Sequence, residues 1–134
     1  MPEALEHYWR MWNETDLDAI RGHLDQAVAS NIAWADPLHL YMGKDSLEAN
    51  VRVLRIDKPE YRFVLASEID GHHLRYRYQW QMMRKHRVLM HGLDIVTLNP
   101  DRLIERVDGF FGTTLPLADL EGEPGSGVPA FLHP

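Results

Sequence analysis

The chain has 134 residues, of which 45% are hydrophobic and 25% charged, and its formal net charge is -6. These values are typical of one globular domain with its own core. The acidic excess argues against a nucleic-acid or anionic-membrane surface, because such surfaces need clustered basic side chains. The absence of cysteine excludes disulfides, thiol nucleophiles and thiolate metal sites.

The sequence also contains no targeting or membrane signal that we recognise. The first residues lack the basic start and apolar core of a signal peptide. No apolar run approaches the roughly 20 residues that a membrane helix requires. Together with the absence of cysteine, this pattern predicts a cytoplasmic protein with no membrane partner.

The first part of the chain is predicted to be mainly helical. Apolar side chains recur at three- and four-residue steps in residues 3–13 and again in residues 16–29, which is the helical period. Residues 31–36 read as a short strand, and Pro37 then favours an extended or turning chain. A third amphipathic helix is predicted over residues 45–56.

Beyond the third helix the apolar period changes to two, which indicates strands. Residues 61–66 and 74–83 alternate in this way, around a hairpin turn predicted at residues 70–71, where the sequence reads Asp-Gly. A strand containing Asp94 follows, and residues 102–112 form the last strand. Helices first and strands later indicate an α+β domain, with N-terminal helices packed on a curved, mainly antiparallel sheet.

The C-terminal segment differs from the rest in composition. Residues 113–134 are rich in proline and glycine, which prevent regular structure. We therefore predict a domain over residues 1–112 followed by a Pro/Gly-rich tail. Leu115, Leu117, Leu120 and Phe131 offer apolar contacts by which the tail can fold back onto the domain.

Two isolated acids in apolar surroundings are the strongest indication of a site. Asp94 lies in the middle of an apolar strand, and Asp36 ends another apolar stretch. Aspartate is depleted in strands and is costly to bury as an anion. A buried aspartate must find partners, become neutral or line a wet cavity, and each outcome indicates a site.

Three stretches carry a resemblance to a known family. They are Tyr8 to Trp12 followed by Asp16 to Ile20, Trp34 to Pro37 followed by Gly43 and a helix, and Asp94 to Asp101 leading to Val107 to Gly112. In order and spacing they resemble the nuclear transport factor two-like superfamily, and within it the SnoaL-like and ketosteroid isomerase-like branch. The resemblance implies a cone-shaped α+β barrel around an apolar pocket, and a homodimer formed through the sheet face.

The resemblance also implies roles for individual residues in cofactor-independent chemistry. Asp36 matches the position of the base that moves a proton next to a carbonyl. Tyr8 and Asp94 match the two donors that hydrogen-bond the developing enolate. Such a base must reach an acidified C–H, and Asp94 can donate only if an apolar pocket keeps it protonated.

An alternative stays open for each of these residues. Asp36 is also compatible with a polar strand end fixed by backbone amides beside a proline. Asp94 is also compatible with a salt bridge to Arg75 or Arg77. Tyr8 is also compatible with a core tyrosine whose hydroxyl finds a backbone acceptor.

Histidines supply a further catalytic candidate but no metal site. His91 precedes Asp94 by three residues, so ideal strand alternation sends the two side chains to opposite faces. A bulge near Gly92 would bring them together, and His91 would then suit an acid–base role. No histidine spacing predicts a metal site. His39, between two predicted elements, belongs either to a pocket mouth or to a surface loop.

The predicted pocket is aromatic and small. Its predicted lining is Tyr8, Trp12, Trp34, Asp36, Tyr78, Trp80, Asp94 and Phe110. Indoles filling much of the space favour a small or flat apolar ligand. Together with the acid–base chemistry that the family resemblance implies, this lining leads us to predict an isomerase, cyclase or dehydratase for a small carbonyl compound. A non-catalytic ligand-binding module and a dimerisation module with a filled cavity remain alternatives of the same fold.

Overall fold

The computed structural model describes residues 1–115 and residue 117. This part of the chain folds into three α-helices, a short 3-10 turn and seven strands. The helices are α1 (Glu3–Asn13), α2 (Ile20–Ala27) and α3 (Lys44–Asp57). The strands are β1 (Val28–Ala35), β2 (Leu40–Met42), β3 (Tyr61–Leu65), β4 (Asp70–His72), β5 (Arg75–Arg84), β6 (Arg87–Leu98) and β7 (Ile104–Phe111).

All strands belong to one curved, unclosed sheet with the helices on one face, which confirms the predicted α+β architecture. The order is β2-β1-β7-β6-β5-β3, and the short β4 pairs with β5 beside this path. All described pairings are antiparallel except that of β1 with β7. This parallel pairing places the end of β1 beside β7, and β6 lies on the other side of β7.

The alternating side chains of β5 identify the two faces of the sheet. Its alternate residues from Tyr76 to Met82 face the helices, and those from Arg75 to Gln81 face away from them. We call the second surface the open face. It carries exposed apolar side chains beside its polar ones, among them Ile95 and Phe110.

The second predicted helix is shorter than its apolar period suggests. A 3-10 turn covers Leu17–Ala19, α2 ends at Ala27, and β1 begins at Val28. Val28 is fully buried and pairs with Ile104 of β7. A β-branched residue suits this strand position, and the pairing partner lies too far along the chain for local periodicity to reveal it.

The turn before β5 also lies later than predicted. Residues 70–72, which contain the Asp-Gly pair, form β4 and pair with the start of β5. The turn itself is made by His73 and Leu74, with φ values of 51° and 64°. Two successive positive φ angles are typical of a type I′ hairpin turn, which usually selects glycine or asparagine.

A buried arginine fastens the helical layer to the sheet. The Arg55 guanidinium near the end of α3 donates to the backbone carbonyls of Trp12, Lys58, Pro59 and Tyr61, at 2.9–3.0 Å. It thereby joins the end of α1, the end of α3 and the start of β3. Such charge-assisted bonds compensate for burial of the guanidinium.

The described part of the chain ends shortly after β7. Thr113, Thr114, Leu115 and Leu117 are exposed. The rest of the predicted tail, including the fold-back candidates Leu120 and Phe131, lies outside the described residues. None of the described helices is long and apolar enough to cross a bilayer.

Candidate functional site

A cavity of about 190 Å³ lies between the helices and the inner face of the sheet. Its wall is largely aromatic and aliphatic. The lining residues are Tyr8, Trp9 and Trp12 of α1, Trp34 of β1, Asn50 and Leu54 of α3, Phe63, Trp80, Met82, Met90, Asp94, Gly109 and Phe111 of the sheet, and Asp36, Leu38 and His39 at the mouth. A cavity of this size suits a small ring compound, since a cavity of roughly 150 Å³ can hold benzene.

Asp94 is the acid in the part of the cavity wall that the sheet forms, which we call the inner wall. It lies opposite Tyr78 on β5, and Trp80 follows two residues along the same face. The Tyr78 hydroxyl donates to Asp94 Oδ2 at 2.9 Å, and the Trp80 indole Nε1 donates to Oδ1 at 3.0 Å. The alternative salt bridge is not formed, because Arg77 projects from the opposite face and pairs with Asp70.

The surroundings of Asp94 bring its titration close to neutral pH. Burial raises the pKa of Asp94 to about 6, and the negative charge of Asp36 acts in the same direction. The hydrogen bonds from Tyr78 and Trp80 oppose this rise, because they stabilise the carboxylate. Asp94 can therefore both accept and release a proton near pH 6.

Two glycines make room for this arrangement. A Cβ at Gly92 would collide with the indole of Trp80 and with the carbonyl oxygen of Phe110. A Cβ at Gly109 would lie 3.1 Å from Asp94 Oδ1 and 3.5 Å from the Asp36 Cβ. The two acids therefore lie on either side of one methyl-sized space.

Asp36 lies at the mouth, directly after β1. Its Oδ1 accepts hydrogen bonds from the backbone amides of Leu38 and His39, both at 2.8 Å. The imidazole Nδ1 of His39 lies 3.1 Å from the same oxygen. Asp36 thus both fixes the turn after β1, as one alternative suggested, and lines the cavity.

Tyr8 supplies a hydrogen-bond donor to the cavity. Its hydroxyl accepts from the Trp34 indole Nε1 at 2.8 Å, and among the described residues no acceptor takes its own proton. Burial, together with the charge of Asp94, raises the pKa of Tyr8 well above its usual range. The hydroxyl therefore stays protonated and is available to a ligand oxygen.

Three other predicted site residues lie outside the cavity lining. His91 and Phe110 are on the open face, and His91 Nε2 approaches Thr113 Oγ1 at 3.4 Å. The β5–β6 pairing runs regularly through Gly92 and Asp94, so no bulge turns His91 inward. Tyr78 is buried behind Asp94, donates to it, and packs against the ring of Trp9 in the cavity wall.

The cavity also contains residues that the sequence did not single out as site residues. Phe111 takes the place predicted for Phe110, because Phe111 pairs with Gly92 on the side of Trp80, whereas Phe110 pairs with Leu93 on the opposite face. Trp9 also lines the cavity, and so does His39, for which the sequence left a pocket mouth and a surface loop open. Trp9 has the helical spacing of an inward residue, whereas His39 has no periodic signal. No cluster of three potential metal ligands occurs among the described residues.

Comparison with known proteins places this geometry among related folds. No family model matches the sequence, and no curated protein matches it. The chain is similar to the crystal structure of a SnoaL-like family protein from Agrobacterium tumefaciens, whose naming as an isomerase is provisional. The two are 33% identical, the match covers 82% of this chain and 95% of that one, and the TM-score is 0.76.

More distant solved structures share the fold. An NTF2-like protein of unknown function from Exiguobacterium sp. is 18% identical, with 83% and 99% coverage and a TM-score of 0.67. A provisionally named polyketide cyclase from Sinorhizobium meliloti is 13% identical, with 81% and 94% coverage and a TM-score of 0.65. At these identities the likeness concerns the fold alone.

Proposed function

This chain belongs to the SnoaL-like family, and on that premise we propose that it catalyses cofactor-independent acid–base chemistry on a small, flat, largely apolar carbonyl compound. The reaction is an isomerisation, a cyclisation or a dehydration. One observation carries the proposal. Asp94, with a pKa raised to about 6, lines an aromatic cavity that also contains the unused donor proton of Tyr8.

In the proposed reaction Asp94 is the base. Its carboxylate takes a proton from the carbon next to the substrate carbonyl, and the electron pair of that C–H bond moves onto the carbonyl oxygen. Tyr8 donates a hydrogen bond to the resulting enolate oxygen. Protonated Asp94 can then return a proton to the substrate, and Tyr78 and Trp80 keep its carboxyl group oriented throughout.

This assignment moves the base from Asp36 to Asp94. The family resemblance gives Asp36 the role of the base and Asp94 that of a donor. Here Asp36 Oδ1 already accepts from two backbone amides and lies against an imidazole, so this carboxylate fixes the turn after β1. Asp94 lies deeper in the apolar wall, where a carboxylate is a stronger base.

The cavity wall restricts the substrate. Indole and phenyl rings surround most of the space, so a planar apolar ring is favoured over an extended or charged molecule. The polar groups of the lining are few: Asp94 in the sheet, Tyr8 and Asn50 on the helices, and Asp36 and His39 at the mouth. The substrate is therefore expected to place its carbonyl oxygen near Tyr8 and its acidic C–H near Asp94.

Exchange of α-protons tests the proposal without knowledge of the natural substrate. Small cyclic ketones such as 1-indanone and 2-tetralone are incubated with the protein in D2O, and loss of the α-proton signal is followed by NMR. We expect exchange by the wild type and a loss of about 100-fold or more in Asp94→Asn. Tyr8→Phe is expected to slow exchange by a smaller factor.

Two results would separate the alternatives. Ketones that bind in calorimetry without any enzyme-dependent exchange would favour a ligand-binding protein. Exchange that survives intact in Asp94→Asn would contradict the assignment of the base. Circular dichroism of each variant controls for folding.

We further propose that the chain forms a homodimer through the open face. Ile95 and Phe110 remain 37% and 53% exposed there, and a second copy would cover them. Light scattering at micromolar concentration is expected to give a dimer mass, and Phe110→Glu is expected to shift it toward the monomer. A wild-type monomer under these conditions would rule out this interface.

A further inference from the structure

We propose that His39 is a second proton-transfer residue of this site, positioned by Asp36 at the mouth of the cavity. The inference rests on the proposed function, which it deepens. It gives the cavity two proton-transfer groups, Asp94 in the inner wall and His39 at the mouth. Such a pair can take a proton at one substrate atom and deliver one at another.

The hydrogen bonds around Asp36 define the orientation of His39. His39 Nδ1 lies 3.1 Å from Asp36 Oδ1 and 3.3 Å from Oδ2. An ionised carboxylate only accepts hydrogen bonds, so Nδ1 must carry the hydrogen. In neutral His39 the other ring nitrogen, Nε2, is then the basic one.

Packing fixes the ring and leaves Nε2 available. The imidazole stacks on Tyr41, with ring centroids 5.4 Å apart and planes inclined by 17°. It also lies 6.5 Å from the Trp34 ring, which is part of the cavity wall. Among the described residues, none hydrogen-bonds to His39 Nε2, and the side chain is 42% exposed. A ligand in the cavity is therefore a suitable partner for Nε2.

The charged and titratable groups around this imidazole support a proton-transfer role. Asp36 faces Nδ1, Tyr41 stacks on the ring, and Asp94 and Tyr8 line the same cavity. Exposure at the mouth lets the imidazole exchange protons with water between turnovers.

The proton balance defines the class of reaction. Asp94 gains a proton when the C–H bond next to the carbonyl breaks. His39, as imidazolium, loses a proton when a new C–H bond forms at the conjugated carbon nearer the mouth. The double bond moves, the substrate formula is unchanged, and both residues return to their starting states by exchange with solvent. A small cyclic β,γ-unsaturated ketone allows both transfers and therefore serves as the probe substrate.

The first test measures the tautomer of His39. In full-length protein with 15N-labelled histidine, long-range 1H–15N spectra are expected to show Nδ1 protonated and Nε2 unprotonated in the neutral ring. Asp36→Asn keeps an oxygen for the backbone amides but replaces the other carboxylate oxygen, 3.3 Å from Nδ1, by an NH2 group, which should increase the share of neutral rings that carry the hydrogen on Nε2. A neutral His39 that carries its hydrogen on Nε2 in the wild type would overturn the pairing.

The second test separates the two proton transfers with cyclohex-3-enone in D2O. Exchange of the α-protons reports on Asp94, and appearance of the conjugated ketone reports on both residues. For His39→Gln we expect conjugation to fall by about 100-fold, and α-exchange, whose proton transfer needs only Asp94, to fall by a much smaller factor. His86→Gln, in the exposed β5–β6 turn, is the matched control.

The outcomes distinguish this inference from the proposed function. If the wild-type protein neither exchanges nor conjugates this ketone, and also fails to exchange the other cyclic ketones, the proposed function is overturned and the inference with it. A wild type that performs both steps, with conjugation unchanged in His39→Gln, overturns the role of His39 alone. Loss of both steps in His39→Gln would also overturn it, because that pattern indicates a damaged site.

Discussion

The inner wall and the mouth of the cavity each contain a carboxylate, and the two are stabilised in different ways. Asp94 accepts hydrogen bonds from two aromatic side chains and has a pKa raised to about 6. Asp36 accepts from two backbone amides and lies against the partly exposed imidazole of His39. Burial in the apolar wall raises the pKa of Asp94 against the effect of its two aromatic donors, whereas the backbone donors make Asp36 a positioning group.

The largest expected effect concerns Asp94 and the pH dependence of stability. The unfolded chain ionises Asp94 near 3.8, whereas the folded chain retains the proton up to about pH 6. The free energy of unfolding therefore falls across this window by about 3 kcal/mol on account of Asp94. The Asp94→Asn variant has no titrating group at this position. The free energy of unfolding of the variant, relative to that of the wild type, should therefore rise by the same amount between about pH 4 and pH 7.

Urea unfolding at a series of pH values measures this difference. Asp101→Asn, which removes an exposed carboxylate from the β6–β7 turn, controls for the loss of one negative charge. A stability difference between wild type and Asp94→Asn that does not change with pH would show that the inner wall does not perturb this acid.

The next effect concerns the space beneath Trp80. Gly92→Ala adds a methyl group that collides with the indole of Trp80 and the carbonyl of Phe110. Overpacking of this kind costs about 1–3 kcal/mol, and we expect a loss of stability in that range in urea unfolding. Gly22→Ala in α2 is the matched control, since no atom lies within 4 Å of the added Cβ. It should leave stability unchanged or raise it by up to about 1 kcal/mol.

A smaller effect is expected when one donor to Asp94 is removed. Tyr78→Phe deletes the hydroxyl that stabilises the carboxylate, so the pKa of Asp94 should rise further, by about one pH unit. Carbon-detected NMR of the carboxyl group measures this directly. Tyr76→Phe on the same strand is the control, because the Tyr76 hydroxyl bonds to no described residue. Equal Asp94 titrations in both variants would contradict the role given to Tyr78.

The smallest effect is expected at the mouth. Asn can make the same turn hydrogen bonds as Asp, so Asp36→Asn should change the free energy of unfolding at neutral pH by less than about 1 kcal/mol. Urea unfolding tests this, with Asp36→Ala as the comparison that loses both backbone bonds. A large loss in Asp36→Asn would mean that its charge, and not only its geometry, supports the fold.

Local sequence patterns predicted the elements whose partners lie nearby. Strict alternation from Leu74 to Met83 identified β5, and the helical spacing of residues 3–13 identified α1. The boundary between α2 and β1 was wrong because the burial of Val28 depends on β7, some 76 positions later along the chain. Periodicity within a short window contains no information about such a partner.

Site residues were predictable where their chemistry was unusual for their surroundings. They were not predictable where only the strand register determines which side chain faces the cavity. Asp94 was recognisable because an acid in an apolar strand requires an explanation. Phe110 and Phe111 are adjacent and chemically equal, so only the pairing of β6 with β7 determines which one faces the cavity. His39 was ambiguous because its orientation depends on hydrogen bonds that its backbone amide and ring donate to Asp36 within the turn.

The concentration of indoles in the cavity wall has an optical consequence. The chain has four tryptophans, and all of them line this one cavity. One indole N–H donates to Asp94 and another to Tyr8, so two of the four fluorophores are bonded to the groups proposed for catalysis. The native emission of the protein therefore originates from a single site. Ligand entry and ionisation of Asp94 should both change its intensity and wavelength, without any label.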